Sequence, residues 1–310
     1  MSAVDASMRF DSPAAFLASQ PQWLPADRAA TPRAAFLVTP EGFALAEQSA
    51  GDNRYMDLSK AVSGERALAQ HRNLQRALSR TLPCIAFPGD AQTPDAVFPN
   101  NVFATAPGRL VIGHMRHEVR QREAERADIA GFFTRALGYE THDLRRQPGI
   151  CELTGSMVID RARGIGFVGL SERCDLAGAG AMHAAFDLRA SFRFVLGADE
   201  YHANVVMSVL ASRALVICPE GFAEASAADA IARLYSPNVI ELDRAEKIAF
   251  AANCIALDDT TVWMSEAAAD GLRPASRAAF ERCGFRIGTV ALDEIEKAGG
   301  SLRCCVGEIY

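Results

Sequence analysis

No pair of cysteines in this sequence has C-x-x-C spacing, no glycine-rich G-x-G-x-x-G turn occurs, and no apolar run is long enough to span a bilayer. Charge is not gathered into blocks either: the net charge of −6 is spread along the 310 residues. Each absence excludes a class. Eight scattered cysteines (Cys84, Cys151, Cys174, Cys218, Cys254, Cys283, Cys304 and Cys305) form neither a structural zinc site nor a disulfide framework. A nucleic-acid groove needs a concentrated basic face, and the basic run Arg116 to Arg126 is interleaved with glutamates, as on a solvated helix. The segment Met1 to Asp11 carries acids and no apolar core, unlike a signal peptide. The expectation is a reduced, cytoplasmic protein with no membrane and no nucleic-acid partner. A homodimer is left open.

What is present is a well-buried globular composition, 49% hydrophobic with mean hydropathy near zero. Residues 1–32, punctuated by Pro13, Pro21, Pro25 and Pro32, read as an arm laid over the core. Ala34 to Val38 reads as a strand, Glu65 to Thr81 as an amphipathic helix with Leu68, Leu74 and Leu78 at helical spacing, and Pro83 to Phe87 as a second strand. From there a strand–strand–helix–strand pattern repeats. Units start at Asn101, Gly155, Asn204, Asn253 and Arg303, roughly 50 residues apart, a period that signals a repeat architecture. Within the first unit the spacing predicts one helix over Arg122 to Leu137. The predicted fold class is α/β, a ring of five small modules around a central pocket, formed by residues 1–310 as one unit. A doubly wound sheet is the weaker choice. The last unit joins the two chain ends, so the C-terminus is expected to be structural.

Equivalent strand starts in such a ring converge on one axial face. That gathers Asn101, Glu152, His202 with Asn204, Asn253 and Cys304. The chain ends in Gly299-Gly300-Ser301-Leu302-Arg303-Cys304-Cys305 and a short apolar strand. A free cysteine is most often a small buried hydrophobe. A thiol among these groups can instead be a nucleophile, provided that something favours its thiolate. His202 as imidazolium could do so and then pass protons to a leaving group, with Glu152 orienting it. If the segment is extended, Cys304 and Cys305 face opposite ways and only one reaches the axis. Position alone does not choose between them.

Several segments resemble motifs of the arginine deiminase/amidinotransferase superfamily, above all its dimethylargininase branch and the citrulline ureidase-like amidinotransferase group. Thr93 to Asn101 is similar to the substrate loop, Glu152 to Asp160 to the catalytic-glutamate segment, and Phe167 to Arg173 to the GLSxRT motif. Tyr201 to Val205 and Gly299 to Cys304 correspond to the histidine and cysteine motifs. The resemblance runs from about Ala34 to Tyr310. It implies the five-module α/β propeller (pentein) fold and a cofactor-free, metal-free hydrolase of guanidino or ureido C–N bonds in an arginine- or citrulline-like amino acid. It places the nucleophile on Cys304, the acid/base on His202 and its acidic partner on Glu152. Arg120 and Arg173 would hold a substrate carboxylate, Phe98 would pack along its methylene chain, and Asp95, Asn100, Asn101, Asn204 and Asn253 complete the substrate-binding set.

In two places the chain departs from that pattern. Relatives that take a cationic guanidinium grip it with two carboxylates where Asn101 and Asn204 stand here. Near Phe43 to Met56, an expected lid within Thr39 to Met56, they have an asparagine at about Ala46. An amide cannot neutralise a buried cation but can both donate to and accept from a neutral ureido group. The favoured expectation is therefore ornithine as product, from citrulline directly or from arginine in two hydrolyses. Arginine deiminase, dimethylargininase or amidinotransferase activity is the alternative within the class. A non-catalytic binding protein of the same fold is the alternative outside it.

Overall fold

A computed structural model describes residues 8–310; residues 1–7 of the expected arm lie outside the described residues. Sixteen strands are assigned: β1 Met8–Phe10, β2 Ala34–Val38, β3 Cys84–Phe87, β4 Phe103–Ala106, β5 Arg109–Ile112, β6 Glu140–Asp143, β7 Met157–Asp160, β8 Ile165–Leu170, β9 Ala190–Val195, β10 Met207–Leu210, β11 Ala214–Ile217, β12 Val239–Glu241, β13 Ile255–Ala256, β14 Thr261–Ser265, β15 Arg286–Val290 and β16 Gly307–Ile309. They form five separate sheets, with no strand pairing between sheets among the described residues, so they do not make a barrel. Each sheet repeats one scheme: the first strand runs antiparallel to the second, and the second parallel to the third. The C-terminal β16 pairs antiparallel with β2, Gly307 opposite Phe36, so the two ends of the chain share one sheet as expected.

Local sequence explains these elements. The tight reversals at Pro107-Gly108 and Arg163-Gly164 place glycine at positive φ between paired strands. The crossover between β2 and β3 is the helix Gly64–Leu78, which starts where the Ser63 hydroxyl accepts from the Arg66 N–H and buries Ala67, Leu74 and Leu78 along one stripe. No helix among the described residues is long and apolar enough to cross a membrane.

Three expectations need correction. The arm is not only laid over the core: β1 pairs in parallel with β9, and Phe16 stacks on Phe192 with ring centroids 4.8 Å apart. The single helix expected over 122–137 is broken into Glu118–Glu123, Ala127–Gly131 and a π turn Phe132–Ala136. Arg120 and Glu123 turn inward as a buried pair, and the consecutive rings of Phe132 and Phe133 both find aromatic partners, in Phe87 and Phe36. A π turn, with its wider i→i+5 closure, accommodates that.

The third correction concerns the unit starts, which are not strand residues. Asn101 and Asn204 lie in 3₁₀ turns, Gly155 in the helical turn Leu153–Ser156, and Asn253 and Arg303 in turns just ahead of β13 and β16. Residues of these turns are stitched to one another. Thr154 Oγ1 donates to Asn100 O (3.0 Å), Asn204 Nδ2 to Thr154 O (3.2 Å), and Asn253 Nδ2 to Asn204 O (2.9 Å). The Arg303 N–H reaches Asn253 O at 3.3 Å. The β16 and β4 sheets meet where Thr105 Oγ1 donates to Glu308 O at 2.8 Å. Buried backbone groups need partners, and here polar side chains from the neighbouring unit supply several of them.

Candidate active site

Those turns bring Cys304 into a narrow cleft lined by Ser49, Asn53, Asp95, Phe98, Arg120 and Arg173, with Asn101, Tyr201 and Gly299-Gly300 completing the wall. The free space beside the thiol is about enough for one water molecule. Gly299 has a φ of +74°, and a Cβ there would come within 2.3 Å of Asn53 Nδ2, so the approach of the 39–56 segment to this turn requires glycine. Asn53 Nδ2 in turn donates to Gly299 O at 3.2 Å. The Phe98 ring lies against Gly300.

The thiol pair is not extended. Residues 302–305 form a turn, which removes the basis for sending the two cysteines to opposite faces. Cys304 lines the cleft, whereas Cys305 is packed among Leu302, Val306 and neighbouring apolar residues, and burial holds its thiol well above the usual range. Polar groups surround Cys304. Asn253 Nδ2 donates to Sγ at 3.3 Å, Asn253 Oδ1 accepts from the Cys304 N–H at 3.3 Å, and the Asn204 amide lies 3.7 to 3.8 Å from the sulfur. Burial pushes the Cys304 thiol up, opposed first by the Asn253 hydrogen bond.

Glu152 and His202 are fully buried and joined by a 2.9 Å bond from His202 Nε2 to Glu152 Oε2. Burial alone would raise the Glu152 carboxyl. The Arg173 guanidinium 3.1 Å away and the bond from His202 outweigh it and hold the carboxyl well below the usual range. An ionised carboxylate can only accept, so Nε2 carries the hydrogen and Nδ1, which has no partner, keeps its lone pair. Burial lowers the His202 pKa, and Glu152 only partly offsets this. No hydrogen bond joins His202 to Cys304 among the described residues. His202 is held through Nε2 by Glu152 instead. Gly155 is a second required glycine: a Cβ would meet Asn101 Oδ1 at 2.4 Å and the His202 ring at 2.7 Å.

Arg173 and Arg120 reach the cleft already partnered. Four of the five N–H hydrogens of Arg173 are used: Nε and Nη2 bond Asp52, Nη1 bonds Glu152, and Nη2 also bonds Ser49 O at 3.0 Å. Arg120 pairs with Glu123 at 2.8 Å and donates to Phe98 O at 3.0 Å. Burial pushes Glu123 up to about 8 despite that pairing. Asp95 is buried and likewise raised by burial. Its Oδ2 accepts from Ser49 at 2.5 Å and its Oδ1 has no partner. Asn100 does not line the cleft: its carbonyl serves Thr154, and both side-chain polar atoms are buried without partners.

The structure brings Glu152, His202, Asn204, Asn253, Asn101 and Cys304, which sequence reasoning grouped, near one another. That reasoning missed Asp52, Ser49, Asn53, Tyr201 and Glu123. Tyr201 adjoins His202 and could have been weighed with it. Asp52 is one unremarkable acid in an irregular stretch, and only the fold shows that it meets Arg173, Arg116 and His117. Among the described residues no cluster of His, Cys, Asp and Glu has the geometry to hold a metal ion.

Known proteins share this architecture. The N-terminal domain of ArgZ, an arginine dihydrolase from the ornithine–ammonia cycle in cyanobacteria, superposes with a TM-score of 0.77 at 20% identity, over 89% of this chain and 97% of that one. A dimethylarginine dimethylaminohydrolase captured as an adduct with S-methyl-L-thiocitrulline gives 0.70 at 21% identity, over 89% and 99%. In sequence, the N(G),N(G)-dimethylarginine dimethylaminohydrolase of Mycobacterium tuberculosis is 26% identical across 92% of this chain and 89% of its own length. The protein YkgA of Bacillus subtilis is 26% identical across 76% and 77%. The family model described as "N,N dimethylarginine dimethylhydrolase, eukaryotic" matches residues 39–310. The chain thus belongs to the N,N-dimethylarginine dimethylhydrolase family and is a hydrolase acting on non-peptide C–N bonds.

Proposed function

We propose that this protein hydrolyses the ureido or guanidino C–N bonds of an arginine- or citrulline-like amino acid to ornithine, with Cys304 as nucleophile, His202 as acid/base and Glu152 as its partner. The carrying observation is that amides, not carboxylates, flank the sulfur: Asn204 and Asn253 contact it and Asn101 lines the same cleft with its Oδ1 unpartnered. A neutral ureido group needs donors and acceptors, which amides provide, rather than a counter-charge. The sulfur attacks the ureido carbon and ammonia departs with a proton relayed by His202. Water then cleaves the thiocarbamate, freeing the thiol and a carbamate that loses carbon dioxide to give ornithine. Starting from arginine, an earlier round through a thiouronium releases the first ammonia.

The rest of the cleft suits an amino-acid substrate. The free Oδ1 of Asp95 would accept its ammonium, Arg120 and the remaining Arg173 hydrogen its carboxylate, and Phe98 its methylene chain. The five sheets are read as a closed five-module propeller comprising one catalytic unit, supported by the hydrogen bonds that link each unit to the next. The eight free thiols accord with a reducing, cytoplasmic setting. Because the cleft holds about one water, the 39–56 segment must move as a lid; protease sensitivity of this segment that is unchanged by substrate would count against that.

The family match favours dimethylarginine as the second substrate to test. The assay offers arginine, citrulline and dimethylarginine separately, with ammonia counted and products identified by mass spectrometry. Ornithine from citrulline, or two ammonia per arginine, is expected. One ammonia from arginine with citrulline accumulating, or citrulline and dimethylamine from dimethylarginine alone, would overturn the ureido reading.

A further inference from the structure

Asn253 does not line the cleft, yet its side chain makes three bonds around the thiol. Oδ1 accepts the Cys304 N–H (3.3 Å), Nδ2 donates to Cys304 Sγ (3.3 Å), and Nδ2 also donates to Asn204 O (2.9 Å). Its own carbonyl accepts the Arg303 N–H at 3.3 Å, and its side chain is fully buried. The amide is therefore fixed at both ends, and its orientation is not free to invert. Oδ1 must face a backbone N–H, so Nδ2 must face the sulfur and a carbonyl. A donor fixed in a buried site is worth most when its acceptor is charged. Asn204 also touches the sulfur, but more distantly, at 3.7 to 3.8 Å through both amide atoms, and its Nδ2 is held by Thr154 O at 3.2 Å. His202 is bonded away, to Glu152.

We infer that Asn253 is a positioning residue that holds the Cys304 sulfur and stabilises it as a thiolate, rather than a residue that grips substrate. The inference rests on the reading of Cys304 as nucleophile. It divides the work of the site: the Asn253 amide favours the ionised sulfur, while Glu152 and His202 manage the proton on the leaving group. It also explains how a buried thiol can react.

The test is the pH dependence of Cys304 alkylation by iodoacetamide, read peptide by peptide by mass spectrometry. It is run on wild type, Asn253→Ser and Asn253→Asp, with thermal unfolding alongside. Asn253→Asp keeps an acceptor for the Cys304 N–H but replaces the donor to sulfur with a negative charge. The midpoint should rise by about one pH unit in the Ser variant and further in the Asp variant, and turnover should fall in kcat with KM little changed. Rescue of the wild-type midpoint by Asp, or unchanged midpoints in both variants, would show that Asn253 only braces the turn and would overturn the inference. A loss confined to KM would return it to the substrate-binding set. If neither variant folds, the wild-type protein still decides: Cys304 must titrate below the buried Cys254 and Cys305, and co-titration with them sinks the idea. Turnover that survives in Cys304→Ala would instead refute the nucleophile reading, and the titration would stand independently of it.

Discussion

On one side of the cleft Arg173, Glu152, Asp52, Arg120, Asp95 and Glu123 bring six ionisable groups together, most of them buried. On the other, Cys304 hydrogen-bonds to Asn204 and Asn253, and no ion pair touches its sulfur. Both sides are largely buried, but they stabilise different species. On the charged side Glu152 stays ionised because Arg173 and His202 outweigh its burial, while burial raises Asp95 and Glu123. The amide side leaves charge to be made during the reaction, since burial keeps the thiol protonated until something favours the thiolate. On the proposed function, the charged side would receive the head of an amino acid and the amide side a neutral, reacting group.

The most damaging way to break this contrast is to neutralise the charged side at its centre. Glu152→Gln keeps an acceptor for His202 but removes the charge facing Arg173. Turnover should fall by about 10²- to 10⁴-fold. Leaving Arg173 short of a partner should cost about 3–5 kcal/mol in thermal or denaturant unfolding. Turnover within a few-fold of wild type would mean that the His202–Glu152 pair is structural.

The reverse experiment adds charge to the amide side. Converting both Asn101 and Asn204 to aspartate supplies the counter-charges that a guanidinium prefers. The ratio of kcat/KM for arginine over citrulline should rise about tenfold, equivalent to ~1.4 kcal/mol. If it stays level, the amides do not set substrate preference.

The smallest effect should come from the rim of the charged side. Asp52 ties the 39–56 segment to Arg173, Arg116 and His117. Burial raises its carboxyl, but the hydrogen bonds and charges of Arg173 and His117 lower it by more. A carboxylate whose folded pKa is depressed adds stability above its unfolded pKa, and loses it as pH falls through the folded value. At neutral pH wild type should therefore be more stable than Asp52→Asn in thermal unfolding, by less than about 1 kcal/mol because the site is partly solvated, and the two should converge as pH falls below about 4. The variant should also be cut faster by protease within 39–56. A Tm gap that widened in acid would contradict the assigned sign.

Much of this was legible in the chain. The 50-residue spacing of Asn101, Gly155, Asn204, Asn253 and Arg303 follows from five-fold repetition of one pattern, and repetition is a linear property. The strands expected at Ala34 to Val38 and Pro83 to Phe87 followed from short apolar runs, and their edges fall within a residue of β2 and β3. The helix expected over 122–137 failed because its periodicity is local, whereas the inward turn of Arg120 and Glu123 answers to partners elsewhere in the fold.

The sequence by itself determined which residue types stand at equivalent positions of the five units, the amides of Asn101, Asn204 and Asn253 among them, because residue identity and repeat register are written along the chain. Only the tertiary structure decided which thiol meets the cleft, that Glu152 claims His202 Nε2, that Asp52 occupies Arg173, and that the Asn253 amide faces the sulfur. Those outcomes depend on burial and on distances of a few ångströms between segments 50 to 120 residues apart. Protonation and hydrogen-bond choice respond to such distances and not to sequence separation.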